Sequence, residues 1–484
     1  MDQDCEPTTP GPGGGGAGTK TARGHARSLL SLGYDLRLQL LSAGIYAFIA
    51  SSKAVTFLPF IRTSIECESD QPAVDRHSSH WSGSTACTDL GLVARDAQYM
   101  KGWAEGLDQG FHCVALPLLG HAIDCYGRRW GVLVGMLGVF AQCAFFFVAA
   151  SFGAGNLADA LIIMGSIVQG LTGIYMAAVN ASLRDTQLAA SKANDEGSEA
   201  HAFGALQLTQ GSFAALAVAV VTGGVIAQNL ESYTSVWFGY AMLAAVSSVA
   251  LYMGFPETLA ERQTWQWHKA SPLRLVDLVW VDSSQRWVAV MMFFLVFSLS
   301  SHATLQAFTI ATYHWSQTKS TVALMPLAPI VLLSMGAALF IVPRFSPQNV
   351  LMGTFVFLDV ASVLFCFAGV GPIFVFVGAG FLLATAGAIP TIMQIIASLA
   401  GPDEVGQFLA NMGAISLAAV ALGNVFFGFV FRTFPKVPEL SFLLAAPFMF
   451  IATYCALKAK RVFDDLDERR RDQVPLGNGE GVSP

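Results

Sequence analysis

A few side chains able to carry charge interrupt otherwise apolar stretches of this sequence. Lys53 falls within 37–60, Glu105 and Asp108 within 105–124, and His302 with Gln306 within 287–313. A charge at bilayer mid-depth costs roughly 2.5–3.5 kcal/mol on insertion scales, so such groups persist where they face a cavity or a partner. Lys53 can bind an anionic group of a solute, pair with Asp108, or snorkel to the interface along its alkyl stem. Glu105 and Asp108 can carry a proton. Both are expected near the outer end of their segment, where a solvated acid is cheap. His302 lies in the polar run Ser298–Gln306 and can take up a proton near neutral pH; hydrogen-bonded helix packing is the plainer reading for it. Gln169, Tyr175 and Asn180 add amide and hydroxyl groups along 158–182, and Asp359, alone in 349–369, is expected to pair with a neighbouring helix.

A second group is the charged stretch Gly120-His121-Ala122-Ile123-Asp124-Cys125-Tyr126-Gly127-Arg128-Arg129. Gly120 allows close approach of a neighbouring helix. Asp124, at a helix end, is stabilised by the positive N-terminal end of another helix. Arg128 can pair with Asp185 further along the chain. The alternative is that Arg128 and Arg129 serve only to orient the chain and contact lipid headgroups.

The apolar segments that must position these groups dominate the chain. Of 484 residues, 54% are hydrophobic and only 12% charged, about half the charged share of a soluble domain. Stretches at 37–60, 105–124, 130–152, 158–182, 203–228, 233–255, 287–313, 321–343, 349–369, 372–399, 405–431 and 439–458 are long enough to span a hydrocarbon core of about 30 Å. They are expected to be helices, since lipid offers the backbone no hydrogen-bond partners. With twelve spans and both termini cytoplasmic, nineteen Lys and Arg fall on the cytoplasmic side and seven on the outer side. That bias follows the positive-inside rule.

Residues 1–36 are Gly/Pro-rich and polar, and read as a disordered cytoplasmic tail. The chain then divides into a six-helix bundle at 37–255, a cytoplasmic linker at 256–286, a second six-helix bundle at 287–460, and a tail at 461–484. A faint repeat at an offset of 202 supports the halves: Gly204 meets Gly406, Gly211 meets Gly413, Ala217 meets Ala419 and Val218 meets Val420.

The stretch Gly120–Arg129 resembles the G-x-x-x-D-R-x-G-R-R/K loop of the major facilitator superfamily, with Cys125 where that family usually has Arg. Phe255-Pro256-Glu257-Thr258-Leu259 closes the sixth span, and a long first outer loop carries Cys67 and Cys87. In these features the chain looks like the fungal general-substrate transporters, and more distantly like the proton-coupled folate transporter group. Two patterns depart: Ser166-Ile167-Val168-Gln169-Gly170 lacks the arginine of R-x-x-Q-G, and Ala219–Gly224 lacks the Gly-Pro pair of a pattern found in drug/proton antiporters.

The resemblance implies the major facilitator fold, an all-α membrane protein of twelve transmembrane helices in two six-helix bundles. It implies that Lys53 and His302 line a central cavity, and that Asp124 meets the start of the eleventh span near Gly401-Pro402. Gly120, Asp124, Gly127, Arg128, Arg129 and Asp185 then form a cytoplasmic latch. The candidate substrate or proton path comprises Lys53, Asp108, Gln169, Tyr175, Asn180, His302 and Gln306.

The expected function is secondary active transport of a small organic solute by alternating access, coupled to protons and leaning to efflux of a metabolite or toxic compound. The alternative is proton-coupled uptake of a nutrient or vitamin-like solute. An embedded enzyme would need His/Asp/Glu or Ser/His clusters at helical spacing inside the spans, and none occurs. No P-loop is present. The eight cysteines show no C-x-x-C spacing, so neither a metal nor a cofactor is expected. Cys67 and Cys87 are either a disulfide or two free thiols. The expected partners are substrate, protons and the lipid bilayer, with no nucleic acid; the chain is expected to be a monomer in the plasma membrane.

Overall fold

The computed structural model describes residues 37–50, 53, 56–57, 60–61, 90–152, 155–191, 233–259, 262, 264–271, 283–323, 326, 329–331, 333–334, 337, 345, 347–386 and 405–473. The tails at 1–36 and 474–484, Cys67 and Cys87, the expected fifth span at 203–228 with its half of the repeat, and Gly401-Pro402 lie outside the described residues. So do most of the expected eighth span and the end of the tenth.

The described residues are helical throughout, joined by short turns. The helices are α1 (Arg37–Ala50), α2 (Leu90–Tyr126), α3 (Arg128–Phe152), α4 (Asn156–Thr172), α5 (Tyr175–Ser191), α6 (Tyr233–Gly254), the short α7 (Trp267–Ala270), α8 (Ser283–Leu299), α9 (Leu305–Tyr313), α10 (Gln317–Ala323), α11 (Pro347–Cys366), α12 (Pro372–Ala384), α13 (Val405–Thr433) and α14 (Leu440–Gln473). A 3-10 turn, Ser300–Thr304, joins α8 to α9. Among the described residues, seven helical stretches are long and apolar enough to cross a membrane, with α4–α5 and α8–α9 each counting as one.

The helices sort by contact. α3 packs against α4, α5 and α6, while α8 packs against α13 and α14, and α11 against α12 and α14. Buried Val132, Met136, Phe146, Tyr175 and Trp237 centre the first group. Val288, Met292, Phe355 and Met449 centre the second. The seam between the groups runs along α2, which packs against α13 and α9. It is tight: a methyl group added at Gly102 would lie 2.5 Å from the Asn424 carbonyl oxygen, so only glycine fits that crossing.

One expectation needs correcting. The second span was expected at 105–124 with its acids at one end. Instead α2 has 37 residues, about 55 Å at 1.5 Å per residue, and Asp108 is its central residue. The hydropathy of the first half is low because Asp96, Lys101 and Glu105 lie there. Each of these charges is answered by a partner: Asp96 by Arg432, and Lys101 by Glu105. Pairing makes the helix tolerable where composition alone argues against it.

Candidate functional site

A cavity of about 200 Å³ lies between the two helix groups. Lys53 and Phe57 line it from the first span, and Glu105, Asp108 and Gln109 from α2. Gln142 of α3, Ser166 of α4, and Val420 with Asn424 of α13 complete the wall. Both halves of the chain therefore contribute to one polar chamber in an otherwise apolar protein.

The Lys53 ammonium donates to Gln142 Oε1 at 2.6 Å. It lies 4.0 Å from Asp108 Oδ2. Asp108 is 8% exposed. Two unit charges at that separation attract by about 4 kcal/mol at an effective dielectric of 20, which offsets part of the several kcal/mol lost by each on leaving water. The sequence left Lys53 with three roles; in the structure it faces the cavity and pairs with Asp108.

Glu105 is not the solvated acid expected. Lys101, itself 7% exposed, sits 3.7 Å from Glu105 Oε1. The Asn424 amide donates to Glu105 Oε2 at 3.2 Å. This hydrogen bond joins the two helix groups at the cavity wall. The seam continues toward the Leu90 end of α2, where Arg432 Nε meets Asp96 at 2.8 Å, the Arg432 guanidinium lies 4.6 Å from the Tyr99 ring centre, and Arg95 donates to the Pro435 carbonyl at 3.0 Å.

The remaining path candidates stand away from the cavity. Tyr175 is buried, donates to the Ser42 carbonyl at 2.7 Å and stacks on Tyr46, bracing α5 against α1. Gln169 is buried one turn beyond Ser166, with no hydrogen-bond partner for its Oε1. Asn180 is exposed. His302 sits in the 3-10 turn with its ring against Phe365 and Phe442 and Nδ1 3.0 Å from the Leu299 carbonyl. Gln306 lies on the first turn of α9 and its carbonyl accepts from Thr309. Asp359 accepts from Thr453 of α14 at 3.0 Å, the neighbouring-helix pairing expected of it.

A second polar cluster forms at the α2–α3 turn. Arg128 Nε meets Asp185 Oδ2 at 2.9 Å, and the same guanidinium pairs with Asp124 one turn earlier. The other partner expected for Asp124, near Gly401-Pro402, lies outside the described residues. The start of α3 is capped instead by Glu257, which the sequence reading had not assigned a role. Its carboxylate accepts from the backbone N–H of Arg128 at 3.0 Å and of Arg129 at 3.4 Å, where the helix dipole favours an anion. Gly127 makes room for it. That residue has φ +114°, and a side chain there would run into Glu257, so glycine is required twice over.

The Thr258 hydroxyl donates to Asp185 Oδ2 at 3.2 Å and lies 3.1 Å from Ser182 Oγ. Ser182 in turn accepts from Gln39 of α1 at 2.9 Å. Arg129 lies over the Tyr252 ring. Gly120, by contrast, has open space beside it. Asp124, Gly127, Arg128 and Asp185 are thus brought together, with Glu257 and Thr258 added. Glu257 was legible only as an acid following a span; its destination at another helix's start was not.

Cys113, Cys143, Cys366 and Cys455 are thiols outside any disulfide, and Cys125 Sγ lies 3.7 Å from His121 Nε2. Among the described residues no group of three His, Cys, Asp or Glu is placed to hold a metal.

The sequence matches the Major Facilitator Superfamily over residues 40–389. No curated protein matches it significantly. Among solved structures, it is similar to the human organic anion transporter MFSD10 (TETRAN), with a TM-score of 0.64 at 12% identity, covering 88% of this chain and 99% of that one. The nucleoside transporter NupG gives 0.59 at 12% identity, over 87% and 99%. FucP, a superfamily transporter in the outward conformation, gives 0.59 at 12%, over 88% and 98%. At such identity the likeness shows a shared fold and says nothing of substrate. The family match covers most of the chain: this protein belongs to the major facilitator superfamily, and it is a multi-pass membrane transporter rather than an enzyme.

Proposed function

We propose that the chain is a proton-coupled secondary transporter of a small organic solute, alternating the access of one cavity between the halves 37–255 and 287–460. The observation that supports this reading is the Lys53–Asp108–Gln142 group on the wall of a cavity shared by both halves. An acid held there can gain or lose a proton as the cavity opens to either side, and a change of charge at that point alters what the cavity binds. Residues 120–129 with Asp185, Glu257 and Thr258 act as the latch, expected on the cytoplasmic side.

Efflux is the direction that the likeness to fungal general-substrate members favours. A lysine inside the cavity repels a cationic solute, and that disfavours exchange of a cation for a proton at Asp108. Uptake of a small nutrient is therefore the reading that this geometry supports better. The protein is taken to act as a monomer in the plasma membrane with both termini cytoplasmic.

The direct test is reconstitution of the full chain in sealed vesicles, with an imposed pH gradient and a panel of labelled sugars, nucleosides, organic acids and amines. One class should accumulate beyond its equilibrium level only while the gradient lasts. Gradient-independent behaviour of every class, in vesicles shown to hold folded protein, would remove proton coupling from the reading.

A further inference from the structure

Lys53 and Asp108 are not the only charges at the cavity. Glu105 also lines it, and Lys101 neutralises Glu105 at 3.7 Å. Among the described residues the count is two cations and two anions, which balance. Among the described residues, the other groups facing Asp108 and Lys53 carry no charge as ordinarily protonated: Tyr46 from α1, and Gln142 and Cys143 from α3. Ser166 from α4 and Asn424 from α13 complete the polar wall.

Two features show what such a chamber accepts. Lys53 is held to Asp108 by a long contact of 4.0 Å and to Gln142 by a short one of 2.6 Å. Its ammonium has three donors, so a carboxylate can replace Asp108 while Gln142 keeps the amine in position. The Ser166 hydroxyl is 1% exposed, lines the same cavity and has no hydrogen-bond partner. A buried donor left unused in a protein interior is uncommon, and it is placed to serve the same incoming group. Among the described residues lining the cavity, a cation would find both acids engaged, Glu105 by Lys101 and Asn424 and Asp108 by Lys53.

We propose, on the basis of the transport reading above, that the solute is a small monocarboxylate bound by Lys53 and Ser166 and moved together with one proton carried by Asp108. On loading, Asp108 takes a proton from solution and its attraction for Lys53 falls away. The carboxylate of the solute then occupies the vacated side of the ammonium. The only bond made is O–H on Asp108, and it breaks on release. One proton and one carboxylate enter together, so loading adds no net charge to the chamber. A cavity of about 200 Å³ suits a small solute.

The test uses the full chain in sealed vesicles with an alkaline interior. Three matched series are compared: hydroxylated monocarboxylates too polar to cross lipid unaided, their primary amides, and the corresponding amines. The carboxylates should accumulate, up to about tenfold per pH unit for one proton, and an imposed membrane potential should not change the level. Accumulation of amides or amines without carboxylates would overturn the substrate class and leave the transport reading standing.

If no series moves while another class of the wider panel does, the monocarboxylate proposal is overturned and the transport reading stands. If nothing in the wider panel moves either, the transport reading fails and binding decides the rest. The purified chain should be stabilised against heat by the carboxylate series, more strongly as pH falls. Lys53→Gln should abolish this and Lys53→Arg keep part of it. Asp108→Asn should bind equally well at every pH, because asparagine stands in for the protonated acid. No carboxylate-dependent stabilisation of the native chain, or the same stabilisation in Lys53→Gln, would overturn the proposal.

Discussion

Asp108→Asn is expected to reduce pH-driven accumulation to the equilibrium level while leaving solute-for-solute exchange intact. Asparagine matches the size of the acid and still accepts a hydrogen bond, so the cavity wall keeps its shape. What it cannot do is exchange a proton. With one proton coupled, a gradient of one pH unit supports about tenfold accumulation, and that factor should fall to one. Exchange needs only the loaded form to reorient, and the variant remains locked in the form that mimics it. Accumulation and exchange measured in the same vesicles separate the two effects. Undiminished accumulation would remove Asp108 from the coupling. His302→Ala should leave the factor unchanged, since the His302 ring packs on Phe365 and Phe442 away from the cavity.

The second large effect concerns Arg128, whose guanidinium is shared by Asp124 and Asp185. Removing it in Arg128→Ala leaves two carboxylates facing one another. Breaking a fully buried pair costs about 3–5 kcal/mol. The Asp124 and Asp185 side chains are 35% and 22% exposed, so about 1–3 kcal/mol is the scale once solvent screening is allowed for. Thermal unfolding in detergent should shift downward accordingly, and transport should fall about tenfold or more. Arg128→Asp or Asp185→Arg alone should behave in the same way. Combining the two should recover part of the activity, in part only because Asp124 would then face a second acid. No recovery in the doubly reversed chain, folded to the same yield, would count against the pairing as a working contact.

The Arg128–Asp185 pairing is legible in the sequence because charges in an apolar chain must find partners, and the candidates are few. Lys53 with Asp108 was legible for the same reason. What sequence could not supply was which distant group completes each pair. Asn424 reaches Glu105 across 319 positions of chain, and Gln142 meets Lys53 across 89. An amide in a membrane span gives no hint of its partner.

The early start of α2 was hidden because Asp96, Lys101 and Glu105 lower its hydropathy, and only their partners make that tolerable. His302 takes the packing role that was its plainer reading, and its cavity-lining alternative fails on local geometry. The 3-10 turn at Ser300–Thr304 advances the chain by three residues per turn, so the face extrapolated from α8 no longer points where a regular helix would send it. Tyr175 and Asn180 show the limit of reading polarity as a cavity signal: one hydroxyl braces two helices and the other side chain is exposed.

The central claim is that one cavity between the halves is reached in turn from each side of the membrane. Gln109 lines that cavity and is half-buried. A Gln109→Cys chain, with the eight native cysteines replaced, can be challenged with a membrane-impermeant thiol reagent in right-side-out and inside-out vesicles. Alternating access predicts labelling from both faces, slowed on both by a transported solute. Labelling confined to one face, with and without solute and at either pH, would contradict it.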